Sequence, residues 1–416
     1  MIRGHPIQGR MDGQVLKLWK LLAISGLLLL QTGCWDSVEL NRRAIVSGVS
    51  IDKGLTEDKR YSVSFQVIVA DEITGKNSRG NAPVALYKGS GRSIYEAFGN
   101  ASRQSARILS LGHSKVIIIS EDLAREGIRD LMDIFERESD MRLSTLVFVS
   151  RGQRAEDILS VMTIFGKIPA NDLVQKLETG NRSFGYNFRI EVDDVIRGIL
   201  AKEGGAIING VIVKGDLEAG GTKSNLEGIK PKAILKNAGL AVFKQDKLMA
   251  FQDGTEGMGL SLIHNKQKEY PLLLELGKNE SATFSMFKVH TSVTANAKDP
   301  EHPVIYISTQ QQAALKEYNG SLDISKSSVL RNWEKLLSEE TKKEIDAAVK
   351  AAMRLNSDYI RFNETVNRVN PKGWKRVKGR WDTIFTQCEV HIKVNTLIRH
   401  TEMRTRSLKS SGEGVE

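Results

Sequence analysis

Lys115-Val116-Ile117-Ile118-Ile119-Ser120 and, further along, Leu146-Val147-Phe148-Val149 decide the fold. Each run is apolar at successive positions, the pattern of a strand covered on both faces. Between them Ser120 stands where a helix cap belongs, ahead of Leu123, Ile128, Leu131, Ile134 and Phe135. A second helix is expected at residues 155–162. Strand, helix, strand, helix with short links predicts a right-handed βαβ unit.

Upstream, residues 44–51 are apolar and Asp52-Lys53-Gly54 supplies turn chemistry. Tyr61, Val63, Phe65, Val67 and Val69 then alternate strictly, as on one face of a strand, so the two segments are expected to form a hairpin. Residues 71–83 are polar with Gly, Asn and Ser and read as a mobile loop. Ser93 with Glu96 makes a capping box for a helix reaching Ala106. Downstream, helices at 169–178 and 192–202 lead to Gly204-Gly205, the expected domain boundary.

Beyond that boundary the chain is strand-rich. Strands are expected at 206–213, at 240–243 and 248–251 (a hairpin turned at Gln245-Asp246), and at 283–294 and 304–308. A long helix follows from a cap at Ser338, with Ile345, Ala348, Ala352, Leu355, Tyr359 and Phe362 along one face. Asn370-Pro371 opens another, Asn as cap and Pro in the first turn. A last strand at 388–398 turns Cys388, Val390, Ile392 and Val394 inward. The fold class is therefore mixed α-β and multidomain: an N-terminal α/β region with a βαβ unit, then a C-terminal antiparallel sheet with long helices. The expected divisions are 1–33, a leader; 34–204; 205–405; and 406–416, a flexible tail.

The leader rests on the one long apolar run, residues 21–30, behind a basic stretch. Ten residues are too few to cross a bilayer core, which needs about 20, so the run reads as a signal-peptide core. Gln31-Thr32-Gly33-Cys34 follows, with small residues at the two positions before the cysteine, as lipoprotein signal peptidase requires. Cys34 is the expected lipid attachment site, and Met11 competes with Met1 as the start. Two acyl anchors on one residue suffice for stable membrane residence.

Of the formal charge of +10, residues 1–33 hold +3 (Arg3, Arg10, Lys17 and Lys20 against Asp12), leaving +7 on the rest. Spread over so long a chain, that charge suits anionic headgroups and argues for no nucleic-acid binding. Two cysteines without CxxC or Cys/His spacing make neither a disulfide framework nor a metal site. Seven scattered histidines lack ligand spacing, and HExxH and GxSxG are missing. His113 and Ser114 are neighbours on an extended segment and point to opposite faces. Gly254-Thr255-Glu256-Gly257-Met258-Gly259 has no P-loop lysine and reads as a loop entering a helix. No catalytic residue, metal or cofactor is expected.

The sharpest feature is residues 368–380, with six cations (Arg368, Lys372, Lys375, Arg376, Lys378, Arg380) and no acid. Trp374, Val377, Trp381, Ile384 and Phe385 share a stripe at helical spacing, as on a core-facing helix. The favoured reading is a structural helix with a basic outer face. The other makes Lys372, Lys375, Arg376 and Arg380 a partner- or membrane-contacting surface.

Together these residues resemble the Ger(x)C lipoproteins, the C-subunits of spore germinant receptors. The likeness runs from Gly33-Cys34-Trp35-Asp36, Glu39-Leu40-Asn41 and Ala44-Ile45-Val46-Ser47-Gly48 through Ile51-Asp52, Gly112-His113-Ser114-Lys115 and Ala124-Arg125-Glu126-Gly127-Ile128. It continues through Ala241-Val242-Phe243-Lys244 and Asp246-Lys247-Leu248 to Asn370-Pro371-Lys372-Gly373-Trp374, Trp381-Asp382-Thr383-Ile384-Phe385 and Glu389-Val390-His391-Ile392-Lys393-Val394. The chain departs from the family at Gln31 and Cys388. The resemblance implies a non-enzymatic lipoprotein on the outer face of the cell membrane or spore inner membrane. It implies integral-membrane A- and B-type subunits as partners and a role in nutrient-induced germination. The only covalent group it implies is a diacylglyceryl and N-acyl lipid on Cys34. A competing reading is a stand-alone solute-binding lipoprotein that captures a nutrient or germinant, which predicts two similar lobes around a cleft.

Overall fold

The structure is a computed structural model and describes residues 17–21, 42–73, 81–138, 140–183, 186–201 and 203–400. Residues Met1–Arg43 form one unit, in which 17–21 are helical, and Ala44–Glu416 form another. Cys34, the 406–416 tail and most of the leader lie outside the described residues.

The second unit is built on two sheets. The larger has nine strands: β1 (Arg43–Thr56), β2 (Lys59–Ile68), β3 (Val84–Gly91), β4 (Ile108–Ser110), β5 (Val116–Ser120), β6 (Leu146–Ser150), β7 (Ile207–Gly215), β8 (Ala233–Lys244) and β9 (Lys247–Gln252). Their order is β3-β2-β1-β5-β6-β7-β8-β9, with β4 against β1. β1, β5, β6 and β7 run parallel, and antiparallel strands flank them. The deciding runs sit at the centre, Ile117 opposite Val147. Ile117 and Ile119 enter one core while Val116 and Ile118 enter another on the opposite face, so both faces are covered. Helices α2 (Glu121–Glu126) and α3 (Arg129–Arg137) link β5 to β6, as a parallel pair requires. Leu131, Met132 and Phe135 of α3 pack into the first core; Ala155, Ile158 and Leu159 of α4 (Ala155–Ser160) and Leu173 of α5 (Pro169–Ser183) fill the second. Val192, Val195 and Ile199 of α6 (Val192–Leu200) return to the first.

Ahead of these helices, α1 (Ile94–Ser102) lies along β3. Ser93 Oγ accepts from the Glu96 amide at 3.1 Å, and the Glu96 carboxylate accepts from the Arg92 amide at 2.9 Å, one residue short of the expected box. Asn100 and Gln104 donate to the carbonyls of Ser90 (2.8 Å) and Lys88 (2.6 Å) on the sheet's outer strand.

The smaller sheet runs β10 (Glu269–Gly277), β11 (Glu280–Asn296), β12 (Val304–Asn319), β13 (Glu389–His400). The first two pairings are antiparallel, whereas β13 is parallel to β12. The expected antiparallel sheet holds for β10 to β12, and β13 joins it in parallel because the chain crosses over through helices before that strand. These are α8 (Ser327–Arg354), α9 (Phe362–Val369), α10 (Pro371–Val377), a 3-10 turn (Lys378–Arg380) and α11 (Trp381–Thr386). The chain leaves the larger sheet at Gln252 and enters the smaller at Glu269, through α7 (Gly254–Ile263). Past Gly204-Gly205 the larger sheet still gains β7, β8 and β9.

Two local readings fail for identifiable reasons. Asp52 does not turn the chain: β1 continues to Thr56, and the carboxylate, 3% exposed, accepts from the amides of Ala155 (2.7 Å) and Glu156 (3.0 Å) to cap α4. Ser338 does not start the long helix. α8 begins at Ser327, and the Ser338 hydroxyl donates to the Glu334 carbonyl one turn earlier at 2.7 Å. From there Ser338 Oγ also accepts from the Thr396 amide, and Glu334 Oε1 from the Ile398 amide, so α8 closes the outer edge of β13. Of the expected loop 71–83, residues 71–73 end a short helix and 74–80 lie outside the described residues.

Candidate interaction surface

The basic segment forms α10 and the 3-10 turn. Asn370 Oδ1 accepts from the Gly373 amide at 2.8 Å and Pro371 takes the first turn, the predicted start. Asn370 Nδ2 also donates to the Ala297 carbonyl at 2.9 Å, holding the helix start to the end of β11. The apolar stripe is buried: Trp374, Val377, Trp381, Ile384 and Phe385 all enter the core, with the Trp374 and Trp381 rings edge to face at 5.1 Å. Burial is worth roughly 1.5–3 kcal/mol per large side chain, against a few tenths for like charges on one helix face. The stripe therefore sets the helix orientation and the cations follow.

Lys372, Lys375 and Arg376 share one exposed face at spacings of three and four, and none forms an ion pair with a described residue. Lys378 is exposed beside them. Arg380 stands apart, in the 3-10 turn and paired with Glu301 at 2.7 Å. Arg368 donates to the Val293 carbonyl at 3.4 Å. The structure thus brings together three of the four expected contact residues.

Beneath this surface lies a carboxylate that sequence reasoning missed. Asp358, 2% exposed, accepts from the amides of Phe362 (2.9 Å) and Asn363 (2.7 Å) and from Trp381 Nε1 (2.8 Å). It caps α9 and ties it to the first residue of α11. Burial pushes Asp358 up to about 7 while the three donors pull it down. An Asp ahead of a polar helix start was a legible cap signal; its burial was not. Nearby, the Cys388 thiol donates to the Ile384 carbonyl at 3.3 Å and burial, then the Asp358 charge, pushes it up to about 12. Such a thiol is no nucleophile at neutral pH.

The remaining sequence candidates separate. Cys34 lies outside the described residues. His113 is exposed, while Ser114 is buried with its hydroxyl 3.5 Å from the Val46 carbonyl. His264 is half-buried with Nε2 2.9 Å from the Tyr359 carbonyl, and desolvation pushes it down to about 4, so it is neutral at pH 7. The Gly254–Gly259 run opens α7, and Gly259 lies against the backbone of α8 at Glu344. Among the described residues no group of three or more His, Cys, Asp or Glu is placed to hold a metal ion. None of their helices is long and apolar enough to cross a membrane.

Two family models match the chain: the spore germination protein N-terminal domain over residues 36–213, and the spore germination B3/GerAC-like C-terminal domain over 238–402. Spore germination protein KC of Bacillus subtilis (strain 168) is 30% identical over 399 residues, covering 94% of this chain and 97% of that one. Spore germination protein B3 of the same organism is 24% identical, with 87% and 92% covered. The crystal structure of the GerBC protein superposes with a TM-score of 0.53 at 19% identity, covering 84% and 96%, and shows the same fold.

Proposed function

The chain belongs to the Ger(x)C family of spore germination proteins and has its role in spore germination, and on that premise we propose that it is the lipid-anchored C-subunit of a nutrient germinant receptor. In this reading Cys34 carries the diacylglyceryl and N-acyl lipid, and the folded unit stands on the outer face of the spore inner membrane beside A- and B-type integral-membrane subunits. The observation that carries it is the relationship to spore germination protein KC over nearly the whole of both chains. Neither matched model describes an enzyme. A stand-alone solute-binding protein finds less support, since it calls for two similar lobes and the two sheets differ in strand number and connection.

Two tests address the anchor and the contact surface. Cys34→Ala is expected to move the protein out of the membrane fraction and to abolish uptake of labelled palmitate; a variant still labelled and membrane-bound refutes acylation at Cys34. The basic face of α10 is proposed to meet an acidic partner surface. Lys375→Glu with Arg376→Glu is then expected to leave the melting temperature unchanged and to lower nutrient-triggered germination by about tenfold, the scale of losing ~1.4 kcal/mol of association. Full germination in that variant would leave α10 as a structural helix only.

A further inference from the structure

Four serines of the larger sheet are buried with nothing to bond. Ser50 on β1, Ser62 and Ser64 on β2 and Ser120 at the end of β5 are each at most 5% exposed, and none of their hydroxyls has a hydrogen-bond partner among the described residues. They share one face of the sheet and gather around one carboxylate. Asp52 pairs with Ser62 and Ser50 with Ser64, and the pairing of Ile51 with Ile119 sets Asp52 beside Ser120. Other buried serines of this chain are bonded. Ser47 donates to Gln66 Oε1 (2.9 Å), Ser150 to the Gln153 carbonyl (2.8 Å) and Ser357 to the Phe243 carbonyl (2.7 Å).

Packing does not account for these hydroxyls. The approach of α4 to this face calls for small side chains, but alanine is as small, and a buried hydroxyl without a partner costs free energy that alanine does not. The carboxylate at their centre is also incompletely compensated. Each Asp52 oxygen accepts one amide of α4 and keeps a further lone pair. Burial pushes the carboxyl up, while the two amides and Arg154 pull it down. Arg154 and Lys88 are themselves paired with Glu156, at 2.9 and 2.5 Å.

We propose that Asp52 and the hydroxyls of Ser50, Ser62, Ser64 and Ser120 hold one dehydrated sodium ion between β1, β2 and β5, under the start of α4. One carboxylate among neutral oxygens matches a single positive charge, whereas calcium gathers several carboxylates and magnesium keeps its waters. Oxygen donors alone do not select zinc or copper. Facing residues on neighbouring strands have Cβ atoms about 4.5–5.5 Å apart. Oxygens carried at that spacing, too far apart to bond one another, can share an ion at the calcium-like contact length of roughly 2.3–2.6 Å.

Melting curves of the purified full chain at constant ionic strength test this, in sodium chloride, potassium chloride and N-methyl-D-glucamine chloride. The melting temperature is expected to rise saturably with sodium, by roughly 2–4 °C once sodium stands about tenfold above half-saturation. Potassium should give less than half of that rise. Ser62→Ala with Ser120→Ala removes two ion ligands and leaves the Asp52 cap alone. That variant should melt no lower than wild type in N-methyl-D-glucamine and gain nothing from sodium. Wild type should also broaden the sodium NMR line, and the variant should not. Equal melting of wild type in sodium and N-methyl-D-glucamine overturns the proposal without any variant having to fold. So does a full sodium gain in the double variant, which puts the ion elsewhere, or an equal gain from potassium. A gain from millimolar calcium with none from sodium would overturn it in favour of a divalent ion.

Discussion

Gly259→Ala is expected to destabilise the folded unit by about 3 kcal/mol or more. A Cβ at this position would stand 1.9 Å from the Glu344 carbonyl oxygen, 2.5 Å from its carbon and 2.9 Å from Ala348 Cβ. Overpacking costs roughly 1–3 kcal/mol where side chains can give way. Here the obstacle is the backbone of α8, so α7 and α8 have to separate. The gain in helix propensity, at most about 1 kcal/mol, acts the other way and is outweighed. Since α7 connects the two sheets and α8 covers the smaller one, loosening their contact loosens both. Gly99→Ala is the matched control, because its Cβ meets open space and only the propensity gain remains. Denaturant midpoints of the two variants check this: a Gly259→Ala midpoint equal to wild type would mean that the helices do not approach as described.

The second large effect is expected at Asp358. Asp358→Ala leaves two backbone amides and Trp381 Nε1 buried without an acceptor, a cost of about 3 kcal/mol or more. Asp358→Asn keeps the shape and removes the titration. In the folded protein the carboxyl lies at about 7, raised by burial from an ordinary 3.8. Between those values the folded state holds a proton that the unfolded chain has released, so this group's contribution is greatest in acid and declines as pH rises from about 4 to about 7. Glu344, pushed up to about 8 by burial, slopes the same way, so the comparison of interest is wild type against Asp358→Asn. From pH 5 to pH 8 the wild-type melting temperature should fall more than that of the variant. Parallel pH profiles would show that Asp358 does not titrate in this window.

Legibility followed the range of the interactions. The β5 and β6 runs were readable because burial on both faces leaves a mark in every residue of a short segment. The orientation of α10 was readable for the same reason, since Trp374, Val377 and Trp381 recur at helical spacing. The pairing of Arg380 with Glu301 is not legible in the same way, because the helix tightens into a 3-10 turn that rotates the side chain toward another segment. β3 and β10 went unread. β3 is only half-buried along most of its length, and Pro271 breaks the strand signature of β10. Ser338 misled because hydroxyl chemistry is the same at a cap and inside a helix, although Trp333 and Leu337 already carried the core-facing pattern upstream. The Asp358 cluster depends on Trp381, which no local window around residue 358 includes.

The outer strands of both sheets carry stoppers. Asn100 and Gln104 occupy carbonyls of β3, Arg125 reaches the Met249 carbonyl of β9 at 3.5 Å, Pro271 removes a donor from β10, and Ser338 with Glu334 takes amides of β13. An uncovered strand recruits the same strand of a neighbouring molecule. Anchoring by acyl chains would hold many copies at high local concentration in a two-dimensional layer, where such recruitment is fastest. Stoppers of this kind let the protein be crowded without its sheets fusing into aggregates.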